Sequence, residues 1–196
     1  MILDRIIEGC NVISVKGNAC AEILSVCNDS RKVAPGALFV AVKGFASDGH
    51  DYINAVVEKG AAAIIYEDET KVGNVPQNVA LVQVKSSRYA LAIAAANFYD
   101  NPSRKLTLVG ITGTNGKTTT VTLLHRMFTA LGYSCGLLST IANYVGNRGS
   151  EAVNTTSDPL TINSLLNEMV NEGCEYCFME VSSIGVEQER VAGLQF

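Results

Sequence analysis

The chain has 196 residues, 47% hydrophobic and 17% charged, with a formal net charge of −4. The apolar fraction is enough for a core and excludes a disordered chain. The acidic balance excludes bulk electrostatic attraction to nucleic acid or an anionic membrane, so a phosphorylated ligand has to be held by local donors.

The segment Met1 to Glu8 is no signal peptide, because Asp4 and Glu8 interrupt its apolar stretch. No apolar run is long enough to span a bilayer, and a cytoplasmic protein is the expectation. In that compartment the six cysteines are expected to be reduced, mostly buried thiols. Cys174-Glu175-Tyr176-Cys177 has CxxC spacing, but no second Cys or His pair accompanies it and an apolar run follows.

In chain order, Pro35-Gly36 is a turn signal before Ala37 to Val42, which reads as a buried strand. Asp51 to Lys59 places Ile53, Val56 and Val57 on one helical face, and Gly60 ends it. Ala61 to Tyr66 and Ala80 to Val84 read as further strands. Ser87 to Tyr99 is Ala-rich and helical. It stops at Asp100-Asn101-Pro102, where the residue before proline avoids the helical region. That break is the expected domain boundary, giving domains 1–101 and 102–196.

The second part is more regular. Leu106 to Ile111 is β-rich and leads into a glycine loop. The helix that follows carries Val121, Leu124, Phe128 and Leu131 at spacings of three and four, with Gly132 as its stop. Cys135 to Ser139 reads as the next strand. Asp158-Pro159 is a strong helix start, and Ile162, Leu165, Leu166, Met169 and Val170 form that helix's apolar face up to Gly173. Tyr176 to Met179 is another strand with Glu180 at its end. Strands alternating with helices predict an α/β fold. We expect a small N-terminal α/β substrate-binding domain, then a truncated P-loop-type ATP-binding domain with a parallel sheet.

The loop Gly113-Thr114-Asn115-Gly116-Lys117-Thr118 has the parts that triphosphate chemistry needs. Glycines let backbone N–H groups approach phosphate oxygens. The following helix turns its partly positive end to the same anion. Lys117 adds a full charge, and the Thr118 hydroxyl suits Mg²⁺. The generic pattern G-x-x-x-x-G-K-[ST] asks for glycine where this chain has Ile111, so the match is to a variant loop.

The run from Gly110 to Thr120 resembles the ATP loop of the muramyl ligases, which add amino acids to the peptide of the bacterial cell-wall precursor. Further segments carry the same resemblance: Asp29-Ser30-Arg31 with Pro35 to Ala41, Asn154-Thr155-Thr156, and Glu180-Val181-Ser182-Ser183 with Gln188 and Arg190. They narrow it to the branch that adds the third residue to UDP-N-acetylmuramoyl-L-alanyl-D-glutamate.

The resemblance implies roles by position. Asn28, Ser30, Phe45, Ala46 and Ser47 would meet the uridine end of that substrate. Thr112, Gly113, Thr114, Asn115, Gly116, Lys117 and Thr118 would hold ATP, with Lys117 catalytic. Asn154, Thr155, Thr156, Ser182, Gln188 and Arg190 would grip the muramoyl-dipeptide. Thr118 and Glu180 would bind Mg²⁺, which prefers hard oxygen ligands. Plainer readings stand beside these. Asp29-Ser30 also suits a turn cap, Asn154-Thr155-Thr156 a polar loop, Glu180 a sheet-end charge and Arg190 a solvated helix. His50 and His125 fall in no motif and are assigned to structure.

Ile184 stands where the family has a histidine. The family's modified lysine, a histidine metal ligand and a third domain would lie beyond Phe196, so a fragment is expected, inactive by itself. Diaminopimelate and lysine both remain open as the added amino acid. The implied reaction makes an acyl phosphate from ATP and the glutamate carboxylate, which the incoming amine attacks. It would serve peptidoglycan synthesis and thereby cell shape and division, in a protein that is monomeric when full length. The alternatives are a folylpolyglutamate synthase-like ligase, a non-catalytic nucleotide-binding module and a plain P-loop kinase.

Overall fold

Ala37-Leu38-Phe39-Val40 is buried along its whole length, as a strand covered on both faces must be. In the computed structural model, which describes residues 1–44, 47–152 and 154–196, this run is an inner strand. The chain divides into two compact units, Met1–Phe98 and Tyr99–Phe196.

The first unit opens with the short helix α1 (Leu3–Ile6) and strands β1 (Val12–Lys16), β2 (Ser25–Cys27) and β3 (Ala37–Val40). Helix α2 (Ile53–Glu58), β4 (Ala63–Tyr66), β5 (Ala80–Val84) and α3 (Ser87–Phe98) complete it. The sheet order is β1-β5-β4-β3-β2. The pairs β2–β3, β3–β4 and β4–β5 are parallel, and β1 is an antiparallel edge. β1 was not legible in the sequence because an edge strand, exposed at Val12, Ile13 and Val15, has no buried face to pattern it. On one face α2 sets Ile53 and Val56 among Phe39, Ile64 and Tyr66. On the other, α3 lies across β2, β3 and β4 with α1 beside it. Its buried Ala90, Ala92, Ala94, Ala95 and Ala96 let backbone and sheet approach closely. The helix stops at Phe98 because Asp100 and Asn101 both take positive φ, 58° and 51°, a region Asp and Asn tolerate better than most residues.

The second unit contains β6 (Thr107–Ile111), α4 (Lys117–Ala130), β7 (Cys135–Leu138), β8 (Ala142–Val145), β9 (Arg148–Glu151), α5 (Pro159–Asn171), β10 (Tyr176–Glu180) and α6 (Ser183–Glu187). The order is β6-β10-β7-β8-β9. β10 is parallel to both β6 and β7, while β8 and β9 form an antiparallel hairpin at the far edge. The expected parallel sheet is therefore limited to β6, β10 and β7, and the hairpin is an addition.

Side chains alternate across this sheet with period two. Leu137 and Phe178 meet Val121 of α4, whereas Leu138, Cys177 and Met179 meet Ile162, Leu166 and Met169 of α5. Leu131, read as part of the apolar face of α4, is instead 67% exposed. It is the C-cap residue of the helix and sits beyond the last packed turn. Asp158 caps α5 as expected, accepting from the Leu160 and Thr161 N–H groups, with Pro159 in the first turn. All six cysteines are free thiols. Burial pushes the Cys10 thiol up to about 12 and the Cys27 thiol up to about 11, which makes both poor nucleophiles and metal ligands. No helix among the described residues is long and apolar enough to cross a membrane.

Candidate functional site

The carboxyl ends of three parallel neighbours, β6, β10 and β7, converge in the second unit. In open α/β sheets this edge is where ligands bind. The first strand delivers the glycine loop. Gly113 and Gly116 take φ of 146° and 81°, backbone conformations that a β-carbon disfavours. A Cβ at Gly116 would find nothing within 4 Å, so torsion, not space, demands glycine there. Gly110 has a different reason. It lies inside β6, and a Cβ on it would come within 2.7 Å of the Phe196 ring. Gly110 thus belongs to the strand and Ile111 closes it.

Gly116 is the N-cap of α4. It supplies no side-chain acceptor to the helix, and no acidic residue stands in the first turn. The start of α4 thus has no side-chain cap and no acidic residue of its own, which suits an anion. Lys117 folds back over the loop, its Nζ donating to the Gly113 carbonyl at 2.6 Å. Phosphate oxygens would replace that carbonyl.

Glu180 ends β10 opposite Ile111, which brings its carboxylate to the start of α4. It is 1% exposed. The Thr118 hydroxyl donates to its Oε2 at 3.0 Å, and the Thr140 N–H donates to Oε1 at 2.8 Å. The Thr140 hydroxyl lies 3.2 Å from Oε2 and 3.1 Å from the Thr155 hydroxyl. That hydroxyl has one proton, so when it donates to Glu180 it accepts from Thr155. Among the described residues no cationic side chain is paired with Glu180. A buried carboxylate ringed by hydroxyl oxygens fits a hard divalent cation. Sequence reading missed Thr140; its only signal is that it follows the β7 run Cys135 to Leu138, the next strand end along.

Thr156, Ser182, Gln188 and Arg190 form a second network beside this one. Thr156 is 1% exposed. Its hydroxyl donates to the Glu180 carbonyl at 3.0 Å and accepts from the Ser182 N–H at 2.9 Å. Both capacities are engaged with main chain, so Thr156 fastens its loop to the end of β10. The Arg190 guanidinium donates through Nη1 to the Thr156 carbonyl at 2.6 Å, and through Nε and Nη2 to the Gln188 amide oxygen. The Ser182 hydroxyl accepts from the Gly185 N–H and caps α6. Asn154 is exposed and Thr155 half-buried at the rim, while Ile184 is exposed.

The remaining candidates lie in the first unit. Asn28 and Ser30 follow the end of β2, and Ser47 lies in the loop after β3. Asp29 and Arg31 pair through two side-chain bonds of 2.9 and 2.8 Å. The Arg31 guanidinium holds the Asp29 carboxyl down to about 2. Lys59 donates to the Ser30 carbonyl at 2.7 Å. Phe45 and Ala46 lie outside the described residues.

Two family models match the chain: residues 22–99 fit the Mur ligase family catalytic domain, and residues 111–196 fit the Mur ligase middle domain. The chain belongs to the Mur ligase family. Among its relatives is the UDP-N-acetylmuramoyl-L-alanyl-D-glutamate–2,6-diaminopimelate ligase of Cytophaga hutchinsonii, 48% identical over all of this chain and 40% of that protein. The ligase of the same name from Bacteroides fragilis is 47% identical with the same coverage. The chain thus spans about 40% of the length of these curated relatives. A solved ligase of that name superposes with a TM-score of 0.77 at 23% identity, covering 98% of this chain and 38% of the other. A second solved structure, the MurF ligase of Thermotoga maritima in complex with ADP, gives a TM-score of 0.52 at 31% identity, over 81% of this chain and 32% of that one.

Proposed function

We propose that these residues are the substrate-binding and nucleotide-binding portion of an ATP-dependent amide-bond ligase of peptidoglycan synthesis. It adds diaminopimelate or lysine to UDP-N-acetylmuramoyl-L-alanyl-D-glutamate. The observation that carries the reading is the junction of the glycine loop with the buried Glu180 carboxylate through Thr118, in a Mur ligase middle domain. The relatives named for the diaminopimelate ligase support diaminopimelate. Residues 1–101 bind the uridine end, through Asn28, Ser30 and Ser47. Residues 102–196 bind ATP and the muramoyl-dipeptide.

Each residue's part follows from its chemistry. The N–H groups at Gly113 to Thr118 and the Lys117 ammonium hold the phosphates and offset charge that develops on the transferred group. Thr118 and Glu180 would hold Mg²⁺, which when bound polarises the phosphoryl oxygens. Thr140 fixes the Glu180 carboxylate from the side of Thr155. Thr156 and Arg190 hold the substrate loop in place. Thr155, Asn154 and Ser182 face the muramoyl-dipeptide, whose glutamate side carboxylate takes the γ-phosphoryl group of ATP with release of ADP; the amine then attacks the acyl carbon and inorganic phosphate leaves. Binding the amine requires groups outside these residues, so the 196-residue chain alone should form no product.

The test is Lys117→Ala. A charge-assisted phosphate contact contributes ~1.5–3 kcal/mol, so ATP affinity should fall at least about tenfold with an unaltered circular dichroism spectrum. Unchanged ATP affinity would overturn the assignment of the loop. Formation of the tripeptide product by the unmodified 196-residue chain would show that the machinery ends earlier than proposed.

A further inference from the structure

We propose that His50 is a positioning residue for the nucleotide end of the substrate, holding the Ser47 side of the β3 loop against the carboxyl end of β4. The proposal rests on the assignment of Asn28, Ser30 and Ser47 to the UDP end made above. His50 belongs to no sequence motif and is assigned from sequence to structure.

The ring is 2% exposed. Its Nε2 accepts from two main-chain donors, the Glu67 N–H at 3.1 Å and the Asp68 N–H at 3.3 Å. A nitrogen with two amide donors aimed at it carries no proton, so Nδ1 is the donor. Nδ1 lies 2.6 Å from Asp48 Oδ1. Asp48 Oδ1 also accepts from the His50 N–H at 3.0 Å, and Oδ2 from Lys71 Nζ at 2.8 Å. Burial works against the Asp48 charge, yet the bonds from Lys71 and His50 outweigh it and hold the carboxyl well below the usual range.

The backbone around this ring is closed as well. Gly44 N–H donates to the Ser47 carbonyl at 3.0 Å, and Gly49 N–H to the Val42 carbonyl at 2.9 Å. Gly49 has no room for a side chain, since a Cβ would lie 2.7 Å from the Val42 nitrogen. The two ends of the loop are thus tied to each other, and His50 ties the pair across to β4. Glu67 continues the chain of contacts, its Oε2 accepting from the Ser87 N–H at 2.7 Å where α3 begins. Asn28 follows β2, Ser47 follows β3, and Glu67 and Asp68 follow β4. These are adjacent parallel strands, so all three groups stand at one sheet edge, the edge that receives ligands. An apolar side chain would fill the same volume. Only a side chain with a donor on one side and an acceptor on the other joins the Asp48 carboxylate to two amide donors.

The experiment is calorimetric titration of the 196-residue chain with UDP, with UDP-N-acetylmuramoyl-L-alanyl-D-glutamate and, separately, with ATP. His50→Leu should weaken both uridine ligands about tenfold, the effect of losing one ordered polar contact, and leave ATP within about twofold. His50→Gln, which keeps an acceptor and a donor, should restore most of the loss. Wild-type affinity for the uridine ligands in a folded His50→Leu chain would overturn the proposal, and so would equal weakening of ATP. Should His50→Leu fail to fold, Asp48→Asn decides in its place by the same comparison. If the unmodified chain binds neither uridine ligand, the assignment of the UDP end itself fails and the proposal with it.

Discussion

Replacing Glu180 by glutamine separates what the free protein wants from what its ligand wants. The carboxylate is 1% exposed and held by three donors, at 3.0 Å from Thr118, and at 2.8 and 3.2 Å from Thr140. Charge-assisted bonds contribute ~1.5–3 kcal/mol each. Burying an ion costs several kcal/mol after relaxation. The two nearly cancel, so glutamine, which keeps an acceptor and sheds the charge, should leave the unfolding free energy of the free chain within ~1 kcal/mol or raise it. The ligand-bound state behaves differently. A nucleotide at a hundred times its dissociation constant stabilises by ~2.7 kcal/mol, and a tenfold loss of affinity removes ~1.3 of that. Urea denaturation with and without Mg²⁺ and ATP, at one fixed concentration, reads both numbers. The expected result is an unchanged or higher midpoint without ligand and a halved increment with it. A loss of ~3 kcal/mol without ligand and an intact increment would refute the reasoning and make Glu180 a structural residue.

Two further outcomes follow from buried polar groups. Thr156→Val keeps the shape but strands the Glu180 carbonyl and the Ser182 N–H, each costing ~1–3 kcal/mol. It should therefore be less stable than Thr156→Ser, and a denaturant series that reverses this order would refute the fastening role. His125 bears on pH. Burial, aided by Arg126, holds its imidazole below the usual histidine value against a bond with the Cys135 main chain, and its Nε2 is buried without a partner among the described residues. The unfolded chain then takes up the proton near pH ~6.5 while the folded chain resists. Stability should fall as pH drops through that value and level off below the folded pKa. His125→Gln should flatten this part of the profile, and an unchanged slope in thermal midpoints would contradict it.

The inner strands were legible because burial on both faces writes a continuous apolar run, as in Ala37 to Val40. The ends of α5 were legible because Asp158, Pro159 and Gly173 carry their conformations in their own chemistry. The edges were not. β1 has no buried face, and the β8–β9 hairpin has strands as polar as Arg148-Gly149-Ser150-Glu151, leaving Gly146-Asn147 as its one local signal. At the site, the residues of the glycine loop follow one another in the chain and could be read directly. Thr140 and His50 act through partners 40 and 17 residues away, at Glu180 and Glu67, a proximity that only the fold creates. Thr156 was visible as a polar residue, but whether its hydroxyl faces ligand or main chain depends on Glu180 and Ser182.

The bare start of α4 has a consequence for how the molecule is completed. A helix usually closes its own amino end with a side chain from the residue before it. Here that residue is Gly116, which has none, and under the proposed function the first-turn N–H groups would take their acceptor from the nucleotide. A bound phosphate would then be a piece of secondary structure contributed by the ligand. The first turn should be the most easily opened part of α4 in the free chain, and nucleotide should slow its amide exchange more than that of any later turn.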